Sequence, residues 1–148
     1  MADFKLVVSD PKSGKAYSID VTGAKSNKFV GKPIGSEVEG DAAGLPGYTL
    51  MITGGSDKDG VPMRKDLPGQ VRRRILVSGG TGYHPVSEGM RKRRLIRGAE
   101  VSGELVQLNA RVVGYGEKPL DEIVPKKEKK EAAVVPGAAR PAPAKPKK

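Results

Sequence analysis

The segment ITGGSDKDGVPM, residues 52–63, places Asp57 and Asp59 one residue apart and directly ahead of Gly60. Carboxylates on alternate residues followed by a glycine turn resemble the opening of a calcium loop, which needs further oxygen ligands and a closing bidentate glutamate. Here Val61, Pro62 and Met63 take the next positions and no acid follows until Asp66, so the ligand set is incomplete. Glycine-rich turns also cradle phosphates, but that chemistry needs the spacing G-x-x-x-x-G-K-[ST] between a strand and a helix. Neither Gly54 and Gly55 nor SGGTGYHP, residues 78–85, supplies it. A serine nucleophile needs a positioned base, and His84 is the one imidazole in the chain. Pro85 biases the histidine toward extended backbone. Among glycines and basic residues it suits a phosphate contact or stacking better than general-base work. The chain has no cysteine, which excludes disulfides and thiolate metal sites. No metal, cofactor, small-molecule substrate or catalysis is expected.

The remaining chemistry belongs to arginine. Arg64 and Lys65 follow the glycine-aspartate loop, then come Arg72, Arg73 and Arg74, and RKRRLIRG (residues 91–98) adds Arg91, Lys92, Arg93, Arg94 and Arg97. Residues 64–98 hold ten Lys or Arg against two Asp or Glu, whereas residues 1–63 hold seven against eight, so the excess is local. Guanidinium forks pair with phosphates and stack on bases. Two such runs, nearly free of acids, point to nucleic acid more than to a solvated charged face. There is no helix-turn-helix or zinc-finger pattern, and four tyrosines and two phenylalanines make no aromatic-rich strand for stacking bases. Contacts are therefore expected mainly to the phosphate and sugar of folded RNA, with His84 included.

The elements that position these residues read as strands. Phe4, Leu6 and Val8 alternate with Lys5, Val7 and Ser9, and Tyr17, Ile19 and Val21 alternate with Ser18 and Asp20, with DPKSG (residues 10–14) as the turn between them. The same period of two runs through Tyr48 to Ile52, Val71 to Val77 and Val106 to Val112. On the fourth of these, Arg73 shares a face with Ile75 and Val77 while Arg72 and Arg74 point the other way. Gly54, Gly55 and Gly60 are expected to supply special backbone conformations, and Pro62 to stiffen the exit that aims the arginines. With 20 glycines and 12 prolines cutting short apolar runs, the expectation is a mainly β fold, a small compact β-barrel with glycine-rich loops and one helical turn near residues 36–43. The barrel domain is expected over residues 1–125. Residues 126–148 are built from Lys, Ala and Pro and read as a disordered basic tail. No apolar run is long enough to span a membrane and no signal peptide is evident, so a cytoplasmic protein is expected.

ITGGSDKDGVPM resembles the signature of small-subunit ribosomal protein S-six of the archaeal and eukaryotic type. GMRKRRLIRG (residues 89–98) and LNARVVGYGEKPL (residues 108–120) resemble the same family in the same order, and the likeness covers roughly residues 3 to 125. The resemblance implies a structural constituent of the small ribosomal subunit, a monomer within the ribosome, bound to ribosomal RNA beside neighbouring small-subunit proteins. It further implies that Gly54, Gly55, Asp57, Gly60 and Pro62 form an architectural loop and that residues 72–74 and 91–97 face RNA. Eukaryotic members continue into a long basic helix ending in phosphorylated serines. This chain has no Ser or Thr after Ser102, which points to a short archaeal form without tail phosphorylation. A free-standing RNA chaperone would carry the same charge, and a nucleotide-using enzyme would be built on the glycine loops. Retention on small subunits in high salt argues against the first, and lack of nucleotide binding against the second.

Overall fold

The computed structural model describes residues 3–116 and 119–124. The described residues are mainly β, as expected, with seven strands: β1 (Phe4–Asp10), β2 (Lys15–Val21), β3 (Glu37–Glu39), β4 (Thr49–Asp57), β5 (Arg72–Val77), β6 (Lys92–Arg97) and β7 (Leu105–Gly114). Five of them form one sheet in the order β2-β1-β7-β4-β3, while β5 and β6 form a separate two-stranded ribbon. Within the sheet only β1 and β7 run parallel. The expected hairpin closes at Gly14, whose N–H donates to the Asp10 carbonyl at 2.9 Å.

Period-two alternation puts one face of this sheet into the core. Leu6 pairs with Leu108 and Val8 with Ala110; Ala110 pairs in turn with Ile52, and Val112 with Leu50. All seven side chains are buried. Full burial stabilises a Leu, Ile or Val side chain by about 1.5–3 kcal/mol. Phe29 completes this core, standing edge-on to Phe4 at a ring separation of 5.6 Å. The opposite face carries Lys5, Ser9, Thr53, Gln107 and Arg111, all exposed, as one-sided mixed and antiparallel sheets allow.

The expected barrel does not close. The edges β2 and β3 are not hydrogen-bonded to each other, and β3 is only three residues long. A 3-10 turn, Gly40–Ala43, follows β3 directly and packs against β2 in place of strand pairing. Buried Ala42, Ala43 and Leu45 therefore cover the gap with side chains. A second 3-10 turn, Gly23–Lys28, leads into Phe29 and had no counterpart in the sequence reading. Leu120, in the short helix Leu120–Ile123, is buried in the same core. The end of β7 is held to the first hairpin by Tyr115. Its hydroxyl donates to Asp10 at 2.7 Å, and Lys12 Nζ lies 3.9 Å from the centre of its ring. That hydroxyl bond, with one from Ser13, lowers the Asp10 carboxyl from 3.8 to about 2. The basic tail expected over residues 126–148 lies outside the described residues.

Candidate nucleic-acid interface

The ribbon is rooted by the glycine-aspartate loop. Strand β4 ends at Asp57, and the chain reverses through Gly60, whose φ of +75° is readily available only to glycine. The Gly60 N–H donates to the Asp57 carbonyl at 2.9 Å and the Asp57 N–H to the Val61 carbonyl at 3.1 Å. Gly54 and Gly55 differ from expectation, because neither has positive φ. Both lie inside β4, where its register against β7 shifts between Ile52 and Gly54. At Gly55 the requirement is space, since a Cβ would meet the Gln107 carbonyl oxygen at 2.6 Å. The returning chain then runs beside β6: Arg97 N–H donates to the Pro62 carbonyl at 3.0 Å and Arg64 N–H to the Arg97 carbonyl at 3.1 Å. Ala99 N–H donates to the Leu67 carbonyl at 2.7 Å.

Asp57 also answers what its carboxylate is for. Its side chain has no exposed surface, and Oδ2 accepts from Arg72 Nε at 2.8 Å and from Arg97 Nη1. Those two arginines are direct cross-strand partners at the base of β5 and β6. Like charges placed opposite each other destabilise a strand pair, and the carboxylate between them removes that repulsion. Asp59 takes Arg72 Nη1 at 2.6 Å, while Arg97 Nη2 reaches Glu104 and Ser102 Oγ, both at 2.7 Å. Burial raises the Asp57 carboxyl, but hydrogen bonds from Arg72 and Lys58 and the charges of Arg97 and Arg72 outweigh it, leaving the group below the ordinary carboxylate range. The hydrogen bonds that Arg72 donates to Asp57 and Asp59 push its guanidinium up. Both acids that imitated a calcium loop are thus engaged by guanidinium groups.

Arg97 is therefore not on the cationic surface expected from the sequence. It is 2% exposed, and Arg72 is half-buried beside it. Arg64 is tied to Asp66 at 3.0 Å. What remains is a cluster of exposed cations: Arg73, Arg74, Arg91, Lys92, Arg93 and Arg94, none of them in an ion pair among the described residues. Lys65 and His84 are exposed in the flanking loops. The register keeps these charges apart. Arg73 faces Ile96, Arg74 faces Leu95, Arg94 faces Ile75, Arg93 faces Leu76 and Lys92 faces Val77. Every strand cation beyond the root thus has an apolar residue opposite, so the ribbon tolerates its charge without internal acids. A small cluster of Val77, Tyr83 and Ile96, joined by Leu67 and Ile75, stiffens it, and Arg94 sits 5.7 Å from the Tyr83 ring centre.

A cleft of about 650 Å³ opens at the root between Lys58, Gln70, Arg72, Arg97 and Glu104. Arg72 and Arg97 in it are already paired with Asp59 and Glu104, so neither guanidinium is free to hold an anion there. No described helix is long and apolar enough to cross a membrane.

The sequence profile of ribosomal protein S6e matches residues 4–125. The chain belongs to the ribosomal protein S6e family. It is 74% identical over 133 residues to a small ribosomal subunit protein eS6 of Methanocella arvoryzae, covering 90% of this chain and 94% of the relative. The eS6 of Methanoculleus marisnigri is 54% identical over 122 residues, covering 82% and 92%. That of Archaeoglobus fulgidus is 50% identical over 127 residues, covering 85% and 98%. The S6e match spans both the sheet and the ribbon, and it makes this a ribosomal-protein chain of archaeal type, not an enzyme.

Proposed function

We propose that the chain is a structural constituent of the small ribosomal subunit and holds folded ribosomal RNA through the β5–β6 ribbon. The observation that carries this is the group of six exposed Arg and Lys residues without acidic partners among the described residues, presented on a ribbon with a rigid root. The name its relatives carry, small ribosomal subunit protein eS6, agrees with a place in the small subunit. Guanidinium groups on a stiff support are already oriented, so less side-chain freedom is lost when they meet phosphate.

The test is RNA binding at several salt concentrations. Replacing Arg74, Arg93 and Arg94 by Gln should weaken binding to archaeal small-subunit ribosomal RNA with little change in melting temperature. The slope of log K against log salt should flatten by roughly 0.7–0.9 per lost phosphate contact. Lys25 and Lys28, on the Gly23–Lys28 turn outside the ribbon, serve as controls. Equal losses from both sets would mean diffuse attraction to a cationic protein and would remove the ribbon from the reading.

A further inference from the structure

We propose that the ribbon lies between two separate RNA backbones and bridges them, one on each of its faces; this rests on the RNA reading above and extends it. Cross-strand partners in an antiparallel pair share a face, as do residues two apart on one strand. The register therefore sorts the exposed cations into two sets. Arg73, Lys92 and Arg94 lie on the face that carries Ile75, Val77 and Ile96. Arg74 and Arg93 lie on the other, with Leu76 and Leu95. All five cations are exposed and none is in an ion pair among the described residues.

Both faces are partly covered at their apolar residues or root, yet each keeps its cations exposed. On the first, Leu67 and Tyr83 pack against the apolar residues and leave the cations exposed around them. On the second, Leu76 and Leu95 remain 58% and 40% exposed among the described residues. A ribbon that lay along one RNA surface would need cations on one face only. Opposed cationic faces fit the two walls of a DNA major groove, but the deep, narrow major groove of A-form RNA does not admit such an element, and its minor groove is shallow. Two walls of phosphate around this ribbon then come from two RNA segments that approach each other. Leu76 and Leu95 on the second face suit contact with the apolar side of ribose between phosphates.

Hydroxyl-radical footprinting of the full chain on an archaeal small-subunit ribosomal RNA transcript tests this, with two variants, R73Q/K92Q/R94Q and R74Q/R93Q. Unchanged melting curves establish that both remain folded. The expected result is two protected patches in the RNA, each variant losing a different one while keeping the other. The salt slope should fall by somewhat under three units for the trio and under two for the pair. Loss of the same patch by both variants would mean one RNA segment and overturn the bridge while leaving the RNA reading intact. An unchanged footprint for R74Q/R93Q would also overturn it, freeing the Leu76 and Leu95 face for a protein neighbour. If neither variant weakened binding, the RNA reading itself would fall.

Discussion

Asp57 decides how two of the arginines are used. It is a buried anion between two guanidiniums, and Arg97, itself 2% exposed, depends on it. Removing one partner of a buried pair leaves the other charge uncompensated, so Asp57→Ala should cost about 3 kcal/mol or more, measured by urea unfolding. Glu104 is 68% exposed in its side chain and cannot replace it fully. Because the folded carboxyl titrates below its ordinary range, its stabilising contribution is complete above the unfolded value. It is lost as pH falls through the lowered folded value, and the acid dependence should be weaker in Asp57→Ala. A loss under about 1 kcal/mol would show that the pair does not hold the ribbon's root. None of this was legible in the sequence. Arg97 read as one more member of a basic run because its partner is 40 residues away, and only the strand register turns it inward.

At the scale of elements, strands with a period of two were legible and the others were not. β1, β2, β4, β5 and β7 each carry alternating apolar residues. β6, KRRLIR, has only the adjacent pair Leu95 and Ile96, and β3 has three residues, too few for any period. The glycine-aspartate loop was recognisable as a turn, but the reasons for its glycines differ by position. Gly55→Ala pushes a Cβ into the Gln107 carbonyl of β7 and should cost about 3 kcal/mol, the upper end of overpacking. Gly60→Ala meets open space but keeps positive φ, so it should cost about 1–2 kcal/mol. Gly54→Ala has neither problem and should be nearly neutral. Thermal unfolding of the three variants gives the order. If Gly54→Ala proved the most harmful, the bulged path of β4 would be wrong.

At the scale of the molecule, composition announced a β fold and a local basic excess, but not the open sheet. Closure of a barrel depends on whether the edge strands meet, and here a 3-10 turn stands where β2 and β3 would have paired. Among the described residues the core extends to residue 124. Leu120 is buried, and Ile123 and Val124 pack against the same cluster. Residues 126–148 carry eight Lys or Arg against two Asp or Glu, and Val134 and Val135 are their only sizeable apolar side chains. Deleting residues 126–148 should therefore leave a single cooperative melting transition at nearly the same temperature. Deleting residues 119–148 should remove the Leu120 anchor as well, at a cost of about 2 kcal/mol or more. The shorter deletion should still weaken RNA binding, because it removes eight Lys or Arg that can displace counterions from RNA. Its signature is a flatter salt dependence with the ribbon's footprint retained. If the shorter deletion abolished cooperative melting, the folded unit would extend past residue 125. If it instead erased the ribbon's footprint, the ribbon alone would not hold RNA.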